Sequence, residues 1–355
     1  MNNYNKFLEK IENEERFEDE IIESLEIKDE FIDNIFFLNT KFSNCSFNSA
    51  TIGNDNFIGC SFENCKFNKV AFIESKFVDA TFINCKFKDS HINDTMFTDS
   101  KFIANIFNKT TFKRAIYATS EFENIYYQKS DFKSCTLTTI KMNSVIFEES
   151  NIYKTSLIDI KLENNSIFKK TNIEKSIFNE LSLKYQNFSN QSLKQTHFND
   201  CDLSNSNFQN CDLTQSFFNN SNLSNSNFKN TTLKYASLNN SDLSNSDFTN
   251  SSLDYCSLEG MKCDDTEFEN ANISMSNLQK ATILNSNFKK ANLQHSILDY
   301  STIENTSFFK ANLSYISIHD TSIKKSNLFL SKRKHMKFND NKLLKGENWQ
   351  RKSKA

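Results

Sequence analysis

This sequence encodes an all-β solenoid built from coils of four five-residue sides, and three regularities say so. First, a large apolar residue recurs at every fifth position, most plainly in Phe57, Phe62, Phe67, Phe72, Phe77, Phe82 and Phe87. That period is neither the 3.6 of a helix nor the 2 of an ordinary strand, so the chain is a repeat. Second, the position two residues before each of these centres is mostly Ala, Ser, Thr or Cys, while the other three are mostly polar. Two inward and three outward positions per five mean a corner every five residues, with the small residue leaving room for the large one. Third, the centres sort at a spacing of twenty. Phe168, Phe188, Phe208, Phe228, Phe248, Phe268, Phe288 and Phe308 form one core column, and Ile173, Leu193, Leu213, Leu233, Leu253, Ile273, Leu293 and Leu313 form another. Four sides of five explain this sorting, because like residues then stack one coil above the next at about 4.8 Å.

Residues 1–31 are expected to be an acidic, amphipathic helical N-terminal cap. Phe7 and Ile11, then Phe17, Ile21 and Leu25, recur at helical spacing among Glu and Asp. A cap is needed because a solenoid end exposes unpaired strand edges. Residues 32–162 form the first solenoid segment, in which every centre from Ile32 to Leu162 is apolar or aromatic. The register then slips by one residue before Phe168, as a bulge or a protruding loop. Residues 163–331 form the second segment. The repeat fails at Arg333, and residues 332–355 are a basic C-terminal cap or tail containing Leu343, Leu344 and Trp349.

The pattern resembles the pentapeptide-repeat family, whose signature is A(D/N)LXX. It appears here as Cys201-Asp202-Leu203-Ser204-Asn205, Ser241-Asp242-Leu243-Ser244-Asn245 and Ala291-Asn292-Leu293-Gln294-His295. The resemblance covers about Ile32 to Ser331. It implies a right-handed quadrilateral β-helix, here of about sixteen coils and about 75 Å at the strand spacing. It also implies that the C-terminal end carries a homodimer contact, and it brings DNA gyrase and topoisomerase IV into view as partners. Quinolone-resistance members of the family bind those enzymes in place of DNA.

Charge divides unevenly. Residues 1–31 carry 4 basic and 11 acidic side chains, a net of −7, and residues 329–355 carry 9 and 2, a net of +7. Between them, residues 32–162 carry 15 and 14, and residues 163–328 carry 14 and 17. A duplex mimic needs a dense acidic surface to match phosphate charge, which this nearly neutral body lacks. The N-terminus has no basic and apolar leader pattern, and no stretch approaches eighteen apolar residues, so a cytoplasmic chain with no membrane contact is expected.

Catalysis needs unlike groups gathered in a concave site, and a filled solenoid offers none. His91, His197, His295, His319 and His335 fall at outward positions or in the tail. Eight cysteines sit at the small inward position and Cys263 at a centre, as buried small hydrophobes. Asp264, Asp265, Glu267 and Glu269 read as a solvated acidic face. No enzyme activity, metal, cofactor or small-molecule substrate is expected. Function falls to outward columns. Tyr235, Tyr255, Met275, His295 and Tyr315 align two residues after successive centres, and Ile106, Tyr126 and Ile146 form a shorter outward stripe. Aligned exterior aromatics have the composition of an interface core. The chain therefore reads as a non-catalytic protein–protein interaction scaffold, with topoisomerase mimicry as the alternative.

Overall fold

Among the described residues, the residue two positions after each centre has a left-handed backbone, from Asp19 at φ 53° to His335 at φ 53°. This residue makes each corner, and the short strands between corners pair in parallel with those twenty residues away. Phe62, for example, pairs with Phe42 on one side and Phe82 on the other. The computed structural model describes residues 3–163 and 166–339, and the chain forms two units, residues 1–181 and 182–355. Each unit is a parallel solenoid with four sides per coil, as the sequence leads one to expect.

In the first unit three-residue strands fill the faces. Two of the faces run together where Thr136–Asn143 and Ser156–Glu163 pass through a corner as eight-residue strands. Its core is a set of ring stacks, with Phe37–Phe57 at 4.6 Å and 1° and Phe57–Phe77 at 4.5 Å and 3°. Such stacks add about 0.5–1.5 kcal/mol per pair to the burial itself. In the second unit many corners close with a hydrogen bond from the residue three after the centre, such as Ala236 N to Leu233 O at 2.8 Å. That is a turn whose third residue must be left-handed, which explains why Asn recurs there. The core column holds, with Phe208–Phe228 at 4.7 Å and Phe228–Phe248 at 4.5 Å. All nine cysteines are free and buried.

The N-terminal expectation needs correction. Only α1 (Asn3–Glu12) is helical, and strands β1 (Phe17–Glu18), β2 (Ile21–Glu23), β3 (Glu26–Lys28) and β4 (Phe31–Asp33) already form the first coil. Phe17, Ile27 and Ile32 are its buried centres, whereas Ile21 is 72% exposed. The five-residue period runs through this coil, but Glu20 and Glu30 occupy inward positions where small residues are the rule. They fit because α1 closes that end. Lys10 bonds Glu20, Tyr4 Oη donates to Glu30, and Phe7 packs on Phe17 at 5.3 Å. The bond to Glu30 pushes the Tyr4 phenol up to about 12.

The register slip is real. Met142 pairs with Leu162, twenty residues on, but Phe147 pairs with Phe168, twenty-one on. The extra residue falls between Glu163 and Ser166, and Asn164 and Asn165 lie outside the described residues. So do Leu343, Leu344, Trp349 and the rest of the C-terminal tail from 340 onward.

One inward position departs from type. Many inward polar side chains accept from the amide twenty residues before and donate to the carbonyl twenty-three before, as Ser90 does with Val70 N and Phe67 O. Asn105 does both, taking the Cys85 N–H at 2.7 Å and donating to Phe82 O at 2.9 Å. Asp55 takes the Ile35 N–H on Oδ1 at 2.7 Å, but its buried Oδ2 has no hydrogen-bond partner among the described residues. A carboxylate cannot donate, whereas a neutral acid can offer its proton to Ile32 O, the carbonyl equivalent to Phe82 O. Burial, aided by the charge of Asp33, pushes the Asp55 carboxyl up to about 7. A carboxyl raised on folding stabilises the fold most at low pH, and that contribution is lost as pH rises through its folded pKa. Asp55→Asn should therefore match the parent near pH 4. It should gain on the parent by a few kcal/mol, at about 1.4 kcal/mol per pKa unit, as pH rises to about 8. Denaturant unfolding of both proteins across that range checks this, and a constant difference would refute it.

Candidate functional site

The corners of the second unit show where the repeat departs from its own preference. Asn190, Asn210, Asn230, Asn250 and Asn270 occupy one corner and join Nδ2 to Oδ1 from coil to coil, at 2.9 Å from Asn210 to Asn190. Asn205, Asn225 and Asn245 take a second corner, and Asp200, Asn220 and Asn240 a third. A left-handed backbone costs an ordinary L-residue about 1–2 kcal/mol, and Asn tolerates it because its short amide bonds locally. The fourth corner carries Gln195, Gln215, Tyr235, Tyr255, Met275, His295 and Tyr315, with φ from 54° to 62°.

These side chains stand one above another along that corner. Tyr235, Tyr255 and Met275 are 49%, 47% and 48% exposed. His295 is also exposed and Tyr315 half-buried. Tyr235 lies 5.1 Å from Tyr255 and His295 4.6 Å from Tyr315, and Tyr315 continues to His335 at 4.9 Å. Lys234 Nζ sits 5.3 Å from the Tyr235 ring and 5.5 Å from Tyr255, and pairs with Asp254 at 3.3 Å. The hydrogen bond to Asp254 raises the pKa of the Lys234 ammonium. Exposed tyrosines with small rotamer freedom suit recognition, since they present large contact area at low entropy cost.

Two neighbouring rings were not legible in the tyrosine column itself. His197 and Phe217 stand one residue before their centres and stack at 4.4 Å. Together with Gln195, Gln215 and Tyr235 they line an open groove of about 510 Å³. Burial lowers the pKa of His197. The signal available was the doublet Phe217-Phe218, an aromatic at a position where the next two coils carry Ser237 and Ser257.

The shorter stripe lies in the first unit. Ile106, Tyr126 and Ile146 pair in register on one face, and the slip adds Ile167 to them. Ile106 is 39% exposed, while Tyr126 and Ile146 are half-buried and the Tyr126 hydroxyl donates to Glu148. His319 is a correction: it is 4% exposed because Tyr300 from the coil before packs edge-on against it at 5.3 Å. Glu269 pairs with Lys289 at 2.9 Å, Glu267 accepts from Asn287 at 2.8 Å and Asp264 from Asn285 at 2.7 Å. Among the described residues no three His, Cys, Asp or Glu side chains are grouped to hold a metal ion, and no helix is long and apolar enough to cross a membrane.

A family model described as a pentapeptide repeat region matches residues 75–152, 152–228 and 201–278, and one described as pentapeptide repeats (8 copies) matches residues 286–322. Solved structures similar to the chain include HetL, a pentapeptide repeat protein involved in heterocyst differentiation regulation from the cyanobacterium Nostoc sp. strain PCC 7120. It is 17% identical over 68% of this chain and 87% of its own, with a TM-score of 0.21. Full-length QnrB1, a plasmid-mediated fluoroquinolone resistance protein, is 19% identical over 69% of this chain and 94% of its own, with a TM-score of 0.29. No curated protein matches the chain.

Core and corner should respond differently to substitution. Phe228→Ala empties part of a fully buried stack and is expected to cost about 3–5 kcal/mol. Tyr255→Asn trades a ring contact of about 0.5–1.5 kcal/mol for relief of left-handed strain and is expected to stay within about 1 kcal/mol of the parent. Urea denaturation measures both, and a loss at Tyr255 comparable to that at Phe228 would make the corner a structural element instead of a surface for recognition.

Proposed function

The chain belongs to the pentapeptide-repeat family, and we propose that it is a non-catalytic scaffold that binds a protein partner along its tyrosine-bearing corner. The observation that carries this reading is that asparagine, which predominates at the other three corners from Asn190 to Asn250, never occurs on the fourth, where Tyr235, Tyr255, Met275, His295 and Tyr315 stand. Nothing in the turn asks for those residues, and their exposed rings are the kind that dominate interface energetics. The stripe Ile106, Tyr126 and Ile146 is a secondary contact in this reading.

Duplex mimicry toward DNA gyrase or topoisomerase IV is less well supported. It calls for a continuous acidic face, whereas carboxylates here alternate with lysines across coils. Lys41 meets Glu63 at 2.7 Å, Glu121 lies between Lys101 and Lys141 at 3.6 Å each, and Lys229 meets Asp247 at 2.9 Å.

A homodimer contact at the C-terminal end is supported by apolar exposure there, since Phe329, Leu330 and Phe338 are 66%, 57% and 70% exposed. Phe338→Asp should then sediment as a monomer at concentrations where the parent is a dimer. Identical sedimentation of the two would remove that contact from the proposal.

The scaffold reading is tested by affinity capture with the parent and with the double variant Tyr235→Asn, Tyr255→Asn, which installs the residue commonest at the other corners. A partner held by the parent and lost by the variant, at unchanged melting temperature, is the expected result. The same partner held equally by both would rule the corner out.

A further inference from the structure

The groove beside the tyrosine corner is more specific than the corner itself. On the face column, His197 stacks on Phe217 and the run of rings stops, because the next residues are Ser237 and Ser257. On the corner column the aromatic run starts at Tyr235, which meets Tyr255 on one side and has the Gln215 position on the other. Gln195 Nε2 donates to Gln215 Oε1 at 2.7 Å, holding two amide planes side by side along the groove. Its lining is therefore planar throughout: two amides, an imidazole, a phenyl and a phenol.

The lining is also uncharged. Burial lowers the pKa of His197, which favours the neutral imidazole. The lysines nearest along the chain are engaged, Lys194 with Asp212 at 3.0 Å and Lys234 with Asp254 at 3.3 Å. A groove that takes a phosphate or a carboxylate needs free cations, which this one does not present. A groove that takes lysine or arginine needs free carboxylates, and Asp212 and Asp254 are already paired. What fits is a flat, neutral group with a polar edge, apolar on its faces and able to reach the amides.

We propose that this groove is the anchor point of the corner interface and receives an uncharged aromatic side chain, tryptophan or tyrosine, from a protein partner. The proposal rests on the scaffold reading above and adds the chemistry of the contact. Buried aromatic anchors in concave pockets are where interfaces concentrate their binding energy. The Gln195 and Gln215 amides supply the polar edge.

The test uses the full chain and its five histidines, whose imidazole proton signals are few enough to resolve by nuclear magnetic resonance. His197→Asn assigns the His197 signal. N-acetyl-tryptophanamide is titrated against the parent, with N-acetyl-leucinamide and adenosine monophosphate as comparisons. The expected result is a saturable shift at His197 with the tryptophan probe, little with the leucine probe, and binding weakened about tenfold in Phe217→Ser, a change of about 1.4 kcal/mol. Ser is the residue the same column carries in later coils, so the variant keeps the fold. No shift at His197, an equal shift with the leucine probe, or undiminished binding in Phe217→Ser overturns the proposal. A stronger response to adenosine monophosphate also overturns it and makes the groove a nucleotide-base site. If Tyr235→Asn, Tyr255→Asn loses a captured partner while Phe217→Ser keeps it at full affinity, the corner reading stands and the anchor fails.

Discussion

A side of five residues can turn into the next only if one of the five accepts a left-handed backbone, and the rest of this protein is arranged around that residue. Once each corner is made, the residue two before it points inward and stands above its counterpart twenty residues away. Phe42, Phe62 and Phe82 are thereby held in a stack at 4.7 and 4.8 Å with their planes within 5°. The same geometry leaves one more inward position per side, where small residues predominate. Ser, Thr and Cys fill it and give their hydrogen to a backbone carbonyl of the previous coil, as Ser90 does to Phe67 O at 3.1 Å. Burial of the rings and satisfaction of the buried polar groups are thus two results of one turn.

Because the corner is the constraint, a corner that ignores its preferred residue carries information. Proteins break local preference mostly where something besides stability has shaped the position. The column from Gln195 to Tyr315 does so for seven successive coils, while its neighbours keep asparagine or aspartate over most of theirs. Surface charge carries less. Most ion pairs here link an exposed lysine to a carboxylate one coil away, and such pairs contribute little apiece.

The centres, the four-sided coil and the exposed tyrosine column could be read directly from residue spacing, since each depends on one local period. What escaped the reading depended on contacts between elements. The first coil looked helical because Phe17, Ile21 and Leu25 recur at helical spacing among acidic residues, and only the packing of α1 explains how Glu20 and Glu30 sit at inward positions. His319 sits at a nominally outward position but is covered by Tyr300, a neighbour nineteen residues away. His197 and Phe217 belong to neither the centre column nor the corner column, so their stack appears only when coils are laid side by side. Asp55 drew no notice among the inward positions, because its unmatched oxygen is a fact of three-dimensional position.

The one-residue slip between Glu163 and Ser166 has a consequence for how such a chain can change length. After it, Ile152 still meets Ile173 and Leu157 still meets Phe178, each now twenty-one residues apart. The stack keeps its phase by nearest-neighbour matching, with no count maintained from either end. The added residue sets the spacing to twenty-one for one coil, and the spacing of twenty returns by Ser182 and Asp202. The same residue added inside a strand would send a phenylalanine to solvent and a lysine to the interior, because facing alternates along the strand. Insertions and deletions in this chain are therefore a matter of address more than of size. Its corners are where grafted segments, tags or new loops can enter without rewriting the sequence that follows.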